Sequence, residues 1–147
     1  MRAVIQRVKK ACVKILSSGE VRSIAKGLLV FIAIKSTDGE KEVKWLANKI
    51  INLRIFPDEN DKMNLSVKDI NGEILIISNF TLYGDVSKGF RPNFMYSADP
   101  DTASRIYNNF VEYLKENTTL NVVSGEFREM MEIELTNDGP VTIIIDK

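Results

Sequence analysis

The sequence predicts an α+β domain in which two helices cover mixed β-sheet. Three observations carry this: strand-like stretches open and close the chain, only two segments switch to a helical period, and strands and helices do not alternate in βαβα fashion. With 147 residues, a single domain over 1–147 is expected, since one core serves about 100–200 residues.

The elements follow in order. Residues 2 to 16 alternate through Ala3, Ile5, Ala11, Val13 and Ile15, with a polar interval at Lys9 and Lys10, and read as one strand or two joined at a bend. The unbroken apolar run "GLLVFIAI", Gly27 to Ile34, is a strand buried on both faces. In "TDGEKEVKWLANKIINLR" the apolar positions Val43, Leu46, Ala47, Ile50 and Leu53 form a helical stripe, with Thr37 or Asp38 as N-cap. A polar loop, "FPDENDKMNLS", leads to a strand around Val67 to Ile70, and Asn71-Gly72 signals a hairpin into the strand "EILIIS". After a long segment, Asp99 caps a second helix with Pro100 in its first turn and Ala103, Ile106, Tyr107, Phe110, Val111 and Leu114 inward. "NVVS", "MEIELT" and "VTIIID" are closing strands, and the "NDGP" between the last two reads as a turn.

Composition excludes more chemistry than it suggests. Hydrophobic residues are 44% and charged ones 27%, an ordinary globular balance. There is no histidine, which removes a Ser-His-Asp triad, a Cys-His pair and the His-bearing zinc sites. The single cysteine, Cys12, forbids an internal disulfide and is read as a small buried apolar residue. No apolar run approaches the ~20 residues of a membrane span, so a cytoplasmic protein with no membrane partner is expected. Net charge is zero but uneven: Arg2, Arg7, Lys9, Lys10 and Lys14 precede the first acid, Glu20, whereas ten acids and four bases follow from Asp99 onward. The basic end could meet phosphate, or could equally be a solvated strand edge.

The segment "NFTLYGDVSKGFRPNFMYSADP", Asn79 to Pro100, is long for a structureless connection, and such loops are usually functional. It interleaves Lys88 and Arg91 with Phe90 and Phe94. Rings for stacking and cations for phosphate suit an unpaired nucleotide. The alternative is a surface loop whose aromatics plug a neighbouring core. Trp45, beside the helix stripe, is read as packing or as part of a dimer interface.

Several motifs spread along the chain, "MRAVIQRV", "KIINLRIF", "DKMNLSV", "GEILIISNFTLYGD", "KGFRPNF" and "TNDGPVTIIID", together resemble the D-aminoacyl-tRNA deacylases. The resemblance runs from Met1 to Asp146. Its most specific parts are "SNFT", Ser78 to Thr81, and "NDGPVT", Asn137 to Thr142. It implies a single domain of mixed β-sheets packed in layers, barrel-like, with two main helices on one side. It further implies an editing hydrolase that cleaves the ester of D-aminoacyl-tRNA, with tRNA as partner and with no cofactor or metal. The family is a homodimer in which a cis Gly139-Pro140 motif enters the other subunit's pocket, excludes L-side chains and admits D-residues and glycine. Arg7 is placed by the resemblance to hydrogen-bond that turn.

The same resemblance points to Asn79, Phe80 and Thr81 as the catalytic segment. Ser78, Asn137, Phe127 and Met131 join Arg7, Gly139 and Pro140 at the substrate, and Lys88 and Arg91 contact tRNA. A Thr81 nucleophile would need an adjacent base, and the motif offers none. The family mechanism is substrate-assisted: the 2′-OH of the terminal adenosine directs water while backbone N–H groups near Asn79 and Phe80 hold the oxyanion, and Thr81 positions the substrate. Two positions depart from the pattern. Asn79 stands where the family has glutamine, and Arg128-Glu129 stands where Gly-Ala is usual, either recharging the adenosine pocket or forming an exposed strand end. An L-alanyl-tRNA editing variant and a non-catalytic RNA-binding dimer are the competing readings.

Overall fold

The computed structural model describes all 147 residues. Its elements run β1 (Arg2–Ile15), β2 (Val21–Ile24), β3 (Gly27–Ala33), α1 (Glu40–Ile51), β4 (Phe56–Pro57), β5 (Met63–Leu65), β6 (Glu73–Ser78), a 3-10 turn (Phe80–Tyr83), α2 (Pro100–Asn117), β7 (Val122–Ser124) and β8 (Met131–Asp146). The main sheet has the order β2-β1-β3-β6-β7, and β8 pairs with the other edge of β1. Because β1 is 14 residues long, its first half pairs with β3 and its second half with β2, while β8 follows it from end to end. Pairs β3–β6 and β6–β7 are parallel and the rest of this sheet is antiparallel. The curl of this mixed sheet nearly closes it into a barrel.

Both faces of the central strands are buried, as their apolar runs require. Leu28, Val30, Ile32, Ile74 and Ile76 face a core shared with α1 and α2. Leu29, Leu75 and Ile77 face a smaller cluster with Val8, Ala11, Val13 and Ile24, inside the curl. The helical stripes behave as read: Val43, Leu46, Ala47 and Ile50 are buried on α1, and Ile106, Tyr107, Phe110, Val111 and Leu114 on α2. Asp99 caps α2 by accepting the N–H groups of Asp101 and Thr102.

Several expectations are corrected. The α1 N-cap is Gly39, whose N–H is accepted by Glu42. Asp38 is drawn away because its buried carboxylate accepts the Met1 amine at 2.7 Å and the Lys35 N–H at 2.8 Å. Residues Val67 to Ile70 are not a strand and Asn71-Gly72 makes no hairpin. The Ser66 N–H and hydroxyl both bond the Asp69 carboxylate at 2.7 Å, which winds that segment into a turn. The β6 edges are meanwhile taken by β3 and β7, and β5 pairs with β4. Cys12 is only partly buried. Trp45 is 38% exposed, with the ammonium groups of Lys49 and Lys147 over its ring, and is not a core residue.

The "NDGP" segment is also no hairpin turn. Both flanking strands pair with β1, so they form the single strand β8, and the register steps from Val8↔Asn137 to Gln6↔Thr142. Residues 138 to 141 therefore stand opposite Arg7 alone, four residues against one, an extended irregular bulge. The Gly139-Pro140 peptide in it is cis. Gly139 has φ +146°, and a Cβ there would lie 2.7 Å from the Val141 side chain, so only glycine fits.

Candidate active site

Three segments meet beside the end of β3: the 3-10 turn after β6, the chain entering α2, and the turn before β8. They enclose a cleft of about 470 Å³. Its floor is apolar, from Ile32, Ala33, Ile34, Ala98 and Ala103, and Phe127 and Met131 form one side. Two hydrogen bonds fix the walls: the Ala98 N–H donates to Ile34 O at 2.9 Å, and the Ser97 hydroxyl donates to Phe80 O at 3.1 Å. Gly125 makes room for the Met131 side, since a Cβ there would lie 2.7 Å from Met131 Sδ. Phe127 leans on Tyr107 at 5.8 Å between centroids, and Tyr107 donates to Ile76 O at 3.0 Å. Burial pushes the Tyr107 phenol pKa up, so it stays a neutral donor.

The "SNFT" residues occupy the polar rim. Ser78, Asn79 and Phe80 line the cleft, but Thr81 does not. Asn79 Oδ1 accepts both the Thr81 N–H at 3.2 Å and the Thr81 hydroxyl at 2.5 Å. Asn79 is thus the N-cap of the 3-10 turn. Asparagine is among the residues best suited to that position, which gives the departure from glutamine a physical reason. The Asn79 N–H is not available as an oxyanion donor, because it bonds Ile32 O at 2.8 Å to end the β3–β6 ladder. The Phe80 N–H heads the turn, where no intrahelical acceptor exists, and it remains as the candidate donor.

Catalysis by a side-chain nucleophile has little support in this arrangement. The Thr81 hydroxyl donates to an amide oxygen, which is not a base, and Glu129 is the sole carboxylate lining the cleft. Arg128 and Glu129 sit at its exposed mouth, with Arg128 at φ +65° in the turn before β8. They recharge the rim without filling the floor.

The second motif lies apart. Gly139 and Pro140 are exposed and line no part of their own chain's cleft. Asn137 closes the bulge: its Oδ1 accepts the Val141 N–H at 2.8 Å, and its Nδ2 donates to Gln6 Oε1 at 2.8 Å and Val141 O at 3.1 Å. Arg7 pins the bulge from below. Its Nε donates to Asp138 O at 2.8 Å and its Nη1 to Ile55 O at 2.6 Å. The hydrogen bond that the resemblance implies for Arg7 is therefore present.

Lys88 and Arg91 lie outside the cleft on an exposed loop that an Asp85↔Asn93 bridge closes at its base. Phe90 is fully exposed at its tip, whereas Phe94 packs edge-on against Phe80 at 5.1 Å. Only one of the two aromatics plugs a neighbour. Ile32, Ala33, Ile34, Ser97, Ala98, Pro100, Ala103 and Met130 complete the lining and were not foreseen as site residues. Small residues at the α2 entrance, Ser97, Ala98 and Ala103, were the available signal.

A family model described as D-Tyr-tRNA(Tyr) deacylase matches residues 4–146. Relatives named D-aminoacyl-tRNA deacylase include those of Dictyoglomus turgidum, 55% identical over 99% of this chain and 92% of the relative, and of Halothermothrix orenii, 54% identical over 99% and 97%. A solved structure named c-Myc DNA Unwinding Element Binding Protein superposes with a TM-score of 0.93 at 38% identity, covering 100% of this chain and 99% of that one. A family-model match over residues 4–146, with relatives more than 50% identical along nearly the whole chain, means that the chain belongs to the D-Tyr-tRNA(Tyr) deacylase family.

Proposed function

We propose that this protein hydrolyses the ester joining a D-amino acid to the terminal adenosine of tRNA, releasing the free D-amino acid and tRNA, and acts in the cytoplasm as a homodimer. The observation that carries the reading is the family match over residues 4–146. A cleft of about 470 Å³ falls in the range of small-molecule sites, and its apolar floor with a few polar rim atoms suits a nucleoside. Phe127 and Met131 would bracket the adenine, and Ser78 and the Asn79 amide would contact the ribose or ester. Lys88 and Arg91 would follow the tRNA backbone.

The chemistry follows from what the cleft lacks. With no base beside a hydroxyl, water attacks the ester carbonyl with the adenosine's 2′-OH orienting it, and the Phe80 N–H stabilises the developing oxyanion. Thr81 acts indirectly by holding Asn79. Chirality is imposed from the other subunit: each Gly139-Pro140 bulge enters the opposite cleft, and its carbonyls leave no room for an L-side chain. Exposure of the bulge away from its own cleft supports this two-chain site. Glycine has no side chain to exclude, so glycyl-tRNA mischarged on tRNA(Ala) is also a substrate.

Matched deacylation of D-tyrosyl- and L-tyrosyl-tRNA tests the proposal. Release of the D-ester alone is expected, with little effect from Glu129→Gln and a large loss on a 2′-deoxy substrate. Equal release of both esters refutes the chirality argument, and release of L-alanine from tRNA would mark an L-alanyl editing variant. Release of none, with tRNA binding retained, would favour a nucleic-acid-binding dimer without turnover. The solved structure at 38% identity, named for DNA-element binding, keeps that second reading in view.

A further inference from the structure

We infer that a second cleft, adjoining the first, binds the nucleotide that precedes the terminal adenosine in an unpaired strand, with Tyr96 stacking on its base and Lys35 meeting its phosphate. This rests on the reading of the first cleft as the adenosine site. The second cleft has a volume of about 530 Å³ and is lined by Arg2, Lys35, Thr37, Tyr83, Asp85 and Tyr96, among others. The two clefts are built from nearby residues of the same three segments. Ile34 lines the first and Lys35 the second, Ser97 the first and Tyr96 the second, Phe80 the first and Tyr83 the second. The Ala98–Ile34 and Ser97–Phe80 hydrogen bonds hold those segments together, so the clefts keep a fixed spacing.

The side chains divide by what they have left to offer. Arg2 is committed: it pairs with Asp146 at 2.7 Å, donates to Leu82 O at 2.9 Å and lies over the Tyr83 ring at 5.1 Å. Lys35 is half-buried at the cleft and forms no ion pair within 4 Å, leaving its ammonium for an anion. Tyr96 is 66% exposed as a residue and its ring packs on no other aromatic ring of the chain. One open ring and one open cation match one base and one phosphodiester. The Asp85 carboxylate in the same lining disfavours a more highly charged ligand and can accept from a ribose hydroxyl or a base amino group.

The test compares D-tyrosyl esters of adenosine, of a dinucleotide ending in adenosine, and of tRNA. Lys35→Ala and Tyr96→Ala should each lower kcat/KM on the dinucleotide and tRNA esters by about fivefold or more, through KM, with no matching loss on the adenosine ester. Tyr96→Phe, which keeps the ring, should restore wild-type values. Binding of a fluorescent, unesterified single-stranded oligonucleotide gives a readout independent of turnover. There Lys35→Ala should weaken affinity and reduce the salt slope by about 0.7, one phosphate's worth for a single strand. Equal losses on all three esters, or no loss on any together with unchanged oligonucleotide binding, would overturn the inference. Failure of the wild type to cleave any ester would count against the proposed function alone, since the oligonucleotide measurement still decides the cleft.

Discussion

Replacing Arg7 by lysine should cost this protein far more than a conservative exchange normally does. Arg7 is 9% exposed and sits opposite residues 138 to 141, where its guanidinium divides itself between two carbonyls on different segments, Ile55 O at 2.6 Å and Asp138 O at 2.8 Å. The Asp138 carboxylate adds a contact at 3.5 Å. A lysine ammonium is a single point of donation and cannot span both carbonyls. Each hydrogen bond from a charged donor is worth roughly 1.5–3 kcal/mol, so losing one and weakening the other puts the cost at about 2–4 kcal/mol. With a urea dependence of about 2 kcal/mol per molar, the unfolding midpoint should fall by about 1–2 M. Deacylation should fall as well, because the bulge carrying Gly139 and Pro140 would be held at one end only. A midpoint shift below about 0.3 M, with activity retained, would show that Arg7 does not pin the bulge.

Two further outcomes follow from the geometry. Asn79→Gln removes the cap on the 3-10 turn and should lower stability by about 0.5–1 kcal/mol without raising the deacylation rate; thermal unfolding with a parallel rate assay checks both, and a faster, equally stable variant would contradict the capping role. In acid, Asp58, Asp69, Asp85 and Asp99 all have carboxyl pKa values below their ordinary range, chiefly because backbone N–H groups of Asn60, Ser66, Ser87 and Thr102 respectively hydrogen-bond the charged form. Depressed folded values mean that the unfolded chain binds more protons in that window. Their contribution is therefore complete above about pH 4 and lost as pH falls through the folded values. Unfolding titrated from pH 7 to pH 2 should show this loss, and Asp99→Asn, which keeps a capping oxygen but not the charge, should reduce its steepness by giving up the Asp99 share at neutral pH while leaving acid stability little changed.

Local chemistry determined what each segment can be. The unbroken run from Gly27 to Ile34 could be solvated on neither face, the stripe from Val43 to Ile50 could be buried only as a helix, and Asp99-Pro100 could scarcely avoid starting one. The motifs around Ser78 and Pro140 were equally legible, because a resemblance in residue types survives without coordinates, and the absence of histidine already narrowed the chemistry. Pairing was a different matter. Asn71-Gly72 and "NDGP" are both hairpin signals by local rules, yet neither makes a hairpin: the edges of β6 were claimed by β3 and β7, and β1 is long enough to hold both halves of β8 in line. A strand's partners depend on which edges the rest of the chain leaves open, and a window of a few residues contains no record of that. The same reason separates the two halves of the candidate site. Sequence named Asn79, Phe80, Gly139 and Pro140 together, but only the tertiary structure placed the Phe80 turn at a cleft, committed the Asn79 N–H to Ile32, and turned the Gly139-Pro140 bulge outward, away from its own chain's cleft.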